Sequence, residues 1–236
     1  MKKVVVILFA LFTGVVVYAQ KVKPSSNVVN EQRTVLNFSQ LVVSNGIEVF
    51  VVTTGSEKIE IQAPDNVIQY VEAVVEKEVL NIRFRKGFKL NGNATIKVTV
   101  NVKSLTSLSA SNQSKIVLSN ALTTEKLDVT LNNSSLSGLI AVSKKLSISL
   151  DKAAQADLSG TCKELKMSLT GASTLGSTSL TADVVSAKLS GQSTARLTIA
   201  QSVEFTGAKE SNLYYLGSPN IKKSSGKDNS KLEQIR

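Results

Sequence analysis

Apolar and polar residues alternate along most of the chain after Thr34. In the first part the alternation is clearest in residues 47–51, 59–61, 80–84 and 96–102. A period of two is typical of β-strands, because successive side chains point to opposite faces of a sheet. Segments rich in glycine and asparagine separate these runs and indicate turns. The pattern therefore predicts an all-β protein.

One segment breaks the alternation and has apolar residues at the spacing of one helical face: Val67, Ile68, Val71, Val74 and Val75. Such spacing brings the apolar side chains onto one stripe of an α-helix. Pro64 and Asp65 come just before it and suit a helix start, with Asp65 as the N-cap. The spacing predicts one short helix near residues 65–75.

After Lys103 the alternation itself recurs with a fixed period. The last apolar residue of each run recurs at steps of 19, 19 and 20 residues, at Leu131, Leu150, Leu169 and Leu189. Ala110 and Phe205 extend this series on either side. A second apolar position follows eight residues later, with Ser177 as its exception: Leu118, Leu139, Leu158, Leu197 and Leu213. Short polar segments between the two positions predict tight turns.

A constant period of about 19 residues predicts a β-solenoid, in which equivalent residues of successive rungs stack about 4.8 Å apart. A β-sandwich also has evenly spaced strands, but it would not keep the same offset over successive units. Leucine-rich repeats need an Asn or Cys stack and a helical return, which this sequence lacks. The β-rich part before Lys103 is expected to supply further rungs or a cap, because open strand edges promote aggregation.

Residues 1–19 have the pattern of a secretory signal peptide. Lys2 and Lys3 precede an apolar run, and Val17-Tyr18-Ala19 suits cleavage before Gln20. The run is shorter than the about 20 residues of a transmembrane helix, so no membrane segment is expected after cleavage. We therefore expect an exported protein in the periplasm, on the outer cell surface or secreted. Cleavage lowers the formal net charge from +10 to +8.

The mature chain is predicted to form one solenoid domain. The polar residues 20–33 are predicted to be a flexible lead-in, and the domain spans residues 34–235. Its parts are a β-rich N-terminal part, the regular repeats and a closing segment: residues 34–102, 103–216 and 217–235.

The composition excludes several kinds of active site. The chain has no His and one Cys. Ser-His-Asp triads and histidine metal sites are therefore excluded, as are an intrachain disulfide and a Cys₄ zinc site. Cys162 is in phase with Ser143 and Thr181 among small residues, which predicts a buried and inert thiol. We expect no catalytic residue, no metal and no cofactor.

Carboxylates are the remaining candidates for catalysis. Asp151 and Asp157 lie close together in sequence, but no carboxylate recurs in the next rung to build a cluster. Residues 103–200 contain no aromatic residue that could stack on a sugar. The two aspartates are therefore expected to be solvated surface charges.

The densest charge cluster is basic and comprises Arg83, Arg85, Lys86 and Lys89. On a strand, Arg83 and Arg85 share the outward face, opposite Ile82 and Phe84. The cluster is a candidate anion-binding patch for lipopolysaccharide or acidic glycans. The alternative is a solubilising face that protects an edge strand. Nucleic acid is not an expected partner, because the protein is exported.

Several short motifs occur together in a characteristic order: Asn45-Gly46-Ile47-Glu48-Val49, Val79 to Phe84, Gly-x-Ser at Gly171 and Gly191, and Tyr215-Leu216-Gly217-Ser218-Pro219. In this order the chain resembles the "putative auto-transporter adhesin, head GIN domain" family of exported Bacteroidetes-type proteins over residues 34–235. The name motif would be Gly-Ile-Asn, and here it is Gly46-Ile47-Glu48. The resemblance implies a right-handed parallel β-helix and a role in adhesion, and it brings no catalytic residues.

These observations favour an exported, non-catalytic β-solenoid that acts as a binding or adhesion module at the cell surface or in the periplasm. Its ligand would be an envelope or extracellular component, either an anionic glycan or another protein. Two other hypotheses remain open at this point. One is a carbohydrate-active enzyme, a lyase or hydrolase, on the same scaffold, and the other is a purely structural envelope protein.

Overall fold

The computed structural model describes residues 20–236, apart from the side chains of Gln20, Ser143, Ser177 and Thr178. The predicted signal peptide, residues 1–19, lies outside the described residues. The helical structure in the described part is too short to cross a membrane. That part forms a 3₁₀-helix, Ile68–Tyr70, and the following strands: β1 Gln20–Val22, β2 Val28–Arg33, β3 Gln40–Val43, β4 Glu48–Thr53, β5 Lys58–Pro64, β6 Val71–Glu76, β7 Val79–Phe84, β8 Phe88–Leu90, β9 Lys97–Val102, β10 Ser107–Ser111, β11 Lys115–Leu118, β12 Leu122–Asn132, β13 Ser135–Asp151, β14 Gln155–Leu169, β15 Thr174–Leu189, β16 Thr194–Gly207, β17 Asn212–Leu216, β18 Asn220–Gly226 and β19 Lys231–Gln234.

Strands β12 to β16 wind into a parallel β-solenoid, as the sequence predicts. The register between neighbouring coils aligns the four leucines of the first predicted column: Leu131, Leu150, Leu169 and Leu189. None of the four is more than 3% exposed. The predicted interior column and the period of about 19 residues are therefore confirmed.

Each regular coil has three short faces. Strand β13, for example, pairs with β11 over residues 135–137 and with β12 over residues 140–142 and 145–151. On all three faces of β13 the inward side chains are buried aliphatic residues: Leu136, Ile140, Val142, Leu146, Ile148 and Leu150. The core is thus a set of aliphatic columns that run along the solenoid axis.

The second predicted column is wrong at Leu139 and Leu213. Gly138, not Leu139, pairs with Leu158, and Leu139 is 47% exposed. Gly138 has a φ of 143°, which glycine adopts without a steric penalty, and this bend turns the next side chain outward. Leu213 is buried, but it pairs with Ala195 rather than with the leucine two residues later.

The first column also ends differently from the prediction. Leu189 pairs with Gly207, and Phe205 pairs with Ala187. A β-carbon on Gly207 would lie 2.4 Å from Cζ of Phe205, so the aromatic ring occupies the space that a leucine would fill. A glycine and a ring replace two aliphatic side chains here without leaving a void, as close packing requires.

The corners that lie just before the face exemplified by residues 135–137 have positive φ. At the corner before β13 this holds for Asn133, and at five others it holds for two consecutive residues: Asn112–Gln113, Lys152–Ala153, Gly171–Ala172, Gly191–Gln192 and Lys209–Glu210. Such a conformation is disfavoured for residues other than glycine and asparagine. The second residue of each turn donates its backbone N–H to a carbonyl of the next coil, as Ala153 does to Gly171 at 2.6 Å. Hydrogen bonds between coils therefore continue around the corner and stabilise its conformation.

The part before Lys103 provides both further coils and a cap. Strands β3 and β4 stack on β10 and β11, and β7 and β9 stack on the other side of β3 and β4. The order of coils in space therefore differs from their order in sequence. Antiparallel strands end the stack, because β6 pairs with β7, β5 with β9, and β2 with β5.

The predicted helix near residues 65–75 is wrong over most of its length. Only Ile68–Tyr70 forms a helical turn, and Val71–Glu76 is strand β6. Asp65 does not cap this turn; its carboxylate accepts a hydrogen bond from Ser25 Oγ at 2.5 Å. The β-branched valines suit a strand, and pairing with β7 supplies the hydrogen bonds that a helix would otherwise provide.

Residues 20–33, which the sequence predicts to be a flexible lead-in, contain strands β1 and β2. In β2 every second residue is partly buried, and Val29 packs on the core. Glu31 and Arg33 occupy the other inward positions, and Arg33 Nη1 donates to the carbonyl of Val71 at 2.6 Å. Polar residues at inward positions conceal the alternation that identifies a strand.

Leu150 belongs to the interior column and Leu139 does not, so replacing each by alanine should change the free energy of unfolding by different amounts. Leu150→Ala should lower the free energy of unfolding by about 2–5 kcal/mol, because it leaves a cavity in a packed column. Leu139→Ala, the matched control, should change it by less than about 0.5 kcal/mol, because the side chain is exposed. Urea unfolding followed by circular dichroism measures both. An equal loss in the two variants would contradict the assignment of inward and outward faces.

Candidate functional site

The two arginines of the predicted basic patch share one carboxylate. Arg83 on β7 lies opposite Glu72 on β6, with its Nε 3.2 Å from Oε2 of the glutamate. Nε of Arg85 lies 3.7 Å from the other oxygen of the same glutamate. Both guanidinium groups are largely exposed, as the alternation predicts. Their charge is therefore partly balanced within the sheet.

The two lysines of the patch have no such partner. Lys86 lies in the turn after β7, where the Phe88 N–H donates to the Arg85 carbonyl at 3.0 Å, and Lys89 is the middle residue of β8. Both lysines are exposed. Within residues 20–236 no carboxylate forms an ion pair with either of them.

A fifth cation, which the sequence analysis missed, lies beside Lys89. Strand β1 pairs in parallel with β8 and sets Lys21 directly opposite Lys89, while Val22 and Leu90 face the core. Like charges at paired positions of neighbouring strands repel each other. The period of two in Lys21-Val22-Lys23 is the signal that could have identified this strand. An anion bound between the two ammonium groups would relieve their repulsion.

Three aromatic rings cluster at β8, where Phe88 and Lys89 point to opposite faces of the strand. The rings of Tyr70 and Phe88 stack with their centroids 4.4 Å apart at an angle of 18°. Phe84 lies 4.8 Å from Phe88. All three rings are partly exposed, and both phenylalanines pack against the core on their inner side. Rings in such a position offer an apolar face that can contact the C–H groups of a sugar.

A shallow polar depression borders the same strand. Its volume is about 380 Å³, and its lining includes Asn45, Leu90, Asn93, Thr95 and Gln113. Oδ1 of Asn45 accepts the backbone N–H of Phe84 at 3.3 Å, which connects the Asn45-Gly46 turn to the end of β7. Leu90, the neighbour of Lys89 in sequence, lines this depression, whereas Lys21 and Lys89 do not.

The two candidate carboxylates of the repeats, Asp151 and Asp157, have different surroundings. Asp151 accepts hydrogen bonds from Thr170 Oγ1 at 2.6 Å and from Asn132 Nδ2 at 3.3 Å, so it connects three coils. The Thr170 hydroxyl holds the pKa of Asp151 below its ordinary value. Asp157 is exposed. No three acidic or Cys side chains within the described residues are arranged to hold a metal ion.

Cys162 is buried, but its neighbours differ from the predicted ones. It lies between Val142 and Ala182 of the adjacent coils and is 4% exposed. Burial, and secondly the charge of Asp183, raise the pKa of the thiol to about 12. Ser143 and Thr181, its predicted neighbours in register, are each one residue away, because bulges shift the pairing in this part of the coil.

Comparisons with known proteins agree with the fold. A family model described as "Putative auto-transporter adhesin, head GIN domain" matches residues 37–219. No curated protein matches the chain. A crystal structure from Bacteroides fragilis, described as a putative adhesin, aligns with a TM-score of 0.78 and 22% identity over 91% of this chain and 100% of that one.

Two structures from Parabacteroides distasonis are also similar. One is described as a putative adhesin, with a TM-score of 0.72, 19% identity and coverage of 92% of this chain and 100% of that one. The other is described as a putative lipid binding protein, with a TM-score of 0.72, 14% identity and the same coverage. At these identities the likeness concerns the fold.

The raised pKa of Cys162 predicts a specific loss of stability in alkaline solution. The unfolded thiol releases its proton near its ordinary pKa of 9.0, whereas the folded thiol keeps it to about pH 12. The contribution of the protonated thiol to the free energy of unfolding is therefore complete below about pH 9. Above that pH it falls by up to about 1.4 kcal/mol per pH unit. Cys162→Ala should show a shallower decrease of the unfolding free energy across this window. Identical slopes would contradict the assignment, as would rapid reaction of the folded wild type with Ellman's reagent at pH 8.

Proposed function

The chain belongs to the "Putative auto-transporter adhesin, head GIN domain" family, and we propose that it is an exported, non-catalytic adhesion module that binds an acidic glycan of a cell envelope. The single observation that carries this proposal is the pairing of Lys21 with Lys89 on β8, the strand whose Phe88 belongs to a cluster of partly exposed aromatic rings. The other basic residues of the patch, Arg83, Arg85 and Lys86, come just before β8 in the chain.

The arrangement separates two tasks that glycan recognition needs. The ammonium groups of Lys21, Lys86 and Lys89 attract carboxylate, sulfate or phosphate groups of the ligand, and this attraction is strongest at low salt. The Tyr70 and Phe88 rings give a flat apolar contact for the sugar. The amides that line the adjoining depression can exchange hydrogen bonds with hydroxyl groups. Arg83 and Arg85 have a smaller role, because Glu72 already balances part of their charge.

Export supports this assignment. Cleavage of the predicted signal peptide after Ala19 would place a new α-amino group on Gln20, which pairs with Phe88 at the start of β1. The positive charge at this strand would then increase beside Lys21 and Lys89. The protein would meet its ligand in the periplasm, on the outer cell surface or in the medium.

The absence of catalysis is part of the proposal. The chain has no His, and Asp151 is held by hydrogen bonds from two neighbouring coils rather than directed at a substrate. Asp157 lies on an exposed face of β14, where its paired residue in the preceding coil is Ser137. A glycosidase or lyase would need two groups that act together on one bond.

The proposal predicts which lysines bind the ligand. Lys21→Ser/Lys89→Ser should weaken binding to polygalacturonate or lipopolysaccharide about tenfold or more, because it removes two charge-assisted contacts. Arg83→Ser/Arg85→Ser should have a smaller effect. Calorimetry of residues 20–236 at low and physiological salt gives the affinities. Anionic lipid vesicles without sugar serve as a second probe, and equal binding to them would assign the surface to lipid headgroups.

The matched control is Lys163→Ser/Lys188→Ser, which removes the same charge from exposed positions in the repeats. It should bind like the wild type. Equal losses in both double variants would show that net charge alone drives binding and would reject a defined patch. The melting temperatures should be unchanged, because all four lysines are exposed.

The second prediction concerns turnover. Pectin, xylan and related glycans should not be cleaved, with or without Ca²⁺, because Asp151 is held by hydrogen bonds and Asp157 pairs with Ser137 rather than with a second carboxylate. Reducing-end and unsaturated-product assays test this. Activity that disappears in Asp151→Asn or Asp157→Asn would identify an enzyme and reject the non-catalytic assignment.

A further inference from the structure

Both ends of the solenoid present strands with a free edge. At the N-terminal end, β6 pairs with β7 and β2 pairs with β5, and in the described part of the chain neither has a second partner strand. At the C-terminal end the same holds for β18, which pairs with β16, and for β19, which pairs with β17. A free edge offers a row of unpaired N–H and C=O groups to another strand.

Charge distinguishes the two ends. Strand β6 carries Glu72 and Glu76 and no basic residue, whereas β18 carries Lys222 and Lys223 and no acidic one. Both strands end the same face of the solenoid, because the face that begins with β6 and β7 continues through β3, β10 and β12 to β16 and β18. Strands β2 and β19 end the face that contains β4, β11 and β17, and each of them carries one acidic and one basic residue.

The outward charges also change sign toward each end. Glu204 on β16 pairs with Lys223 on β18, and Arg83 on β7 pairs with Glu72 on β6. A β18 strand placed against β6 of another molecule would continue this alternation across the junction. Opposite charges on neighbouring strands stabilise a sheet, and like charges destabilise it.

Apolar side chains are uncovered at the same two strands. Val74 on β6 is 41% exposed, and Ile221 on β18 is 49% exposed. Ile221 continues the interior column of Val185 and Val203, so its exposure results from the missing next coil. Ala73 and Val75 form the corresponding partly buried end of the core in β6. Contact between the two ends would bury Ile221, Ala73 and Val75 as contacts between coils do within the chain, whereas Val74 lies on the outward face of β6 with Glu72 and Glu76.

We infer that a second copy of this chain docks end to end, with β18 of one molecule pairing with β6 of the next. With the two solenoid axes aligned, the strands would be antiparallel, because β6 runs opposite to the coils and β18 runs with them. Such a contact joins two different surfaces, so it leaves one free end of each kind and can extend into a chain of molecules. The inference does not depend on glycan binding, which uses other side chains.

Sedimentation velocity of residues 20–236 without glycan tests the inference. The mean mass should rise with protein concentration at ~50 mM salt and fall back toward the monomer at ~500 mM, where charges are screened. Lys222→Glu/Lys223→Glu should abolish association, and so should Glu76→Lys at the other end. Lys163→Glu/Lys188→Glu, which reverses two exposed charges in the repeats, should leave it unchanged.

Mixing the two end variants gives the decisive result. Each variant alone repels its own copies, but the reversed C-terminal end of one complements the reversed N-terminal end of the other. The mixture should therefore associate again. A wild type that stays monomeric at every concentration in low salt would overturn the inference and assign Lys222 and Lys223 to edge protection. Association that neither end variant weakens, or a mixture that remains monomeric, would overturn it as well.

Discussion

Backbone hydrogen bonding between successive coils is the constraint on which the rest of this structure depends. It runs along the strands and continues through the corner turns, where N–H groups such as those of Ala153 and Ala172 bond to the next coil at 2.6 Å. Equivalent residues must therefore stack one above another. This requirement produces the period of about 19 residues and permits a left-handed conformation at residues that would not adopt it alone.

The stacked columns make the core tolerant of different side chains but not of different volumes. Where a coil has Gly207, the ring of Phe205 fills the gap, and where it has Cys162, Val142 and Ala182 enclose the thiol. A column is only one residue wide, so each position must match its two neighbours along the axis. The buried thiol is a consequence of this packing, and its raised pKa follows from burial rather than from any reactivity.

The sequence predicts the regular half of the molecule well because one period governs it. The column from Leu131 to Leu189 follows directly from spacing. Two features could not be predicted, and each has a physical reason. A glycine such as Gly138 can reverse the direction of the next side chain, which a count of apolar spacings does not detect. Antiparallel strands at the N-terminal end depend on distant partners, and β2 has polar residues at its inward positions.

The candidate site was predicted only in part for the same reason. Arg83, Arg85, Lys86 and Lys89 are adjacent in sequence and could be found there, but Lys21 joins them only through the pairing of β1 with β8. That pairing belongs to the irregular end of the stack, where the chain order and the spatial order of the coils differ.

In the regular coils the same backbone geometry and the same pattern of inward and outward side chains repeat from one coil to the next. This repetition restricts the clusters of different side chains that can form there. The ends of the stack are released from this repetition, because their outermost strands, such as β2 and β6, have one neighbour instead of two. Distinct clusters of charge and aromatic rings can form there without disturbing the columns. The physics that stabilises the repeats thus accounts for why the chain's most specific surface features occur where the repeats stop.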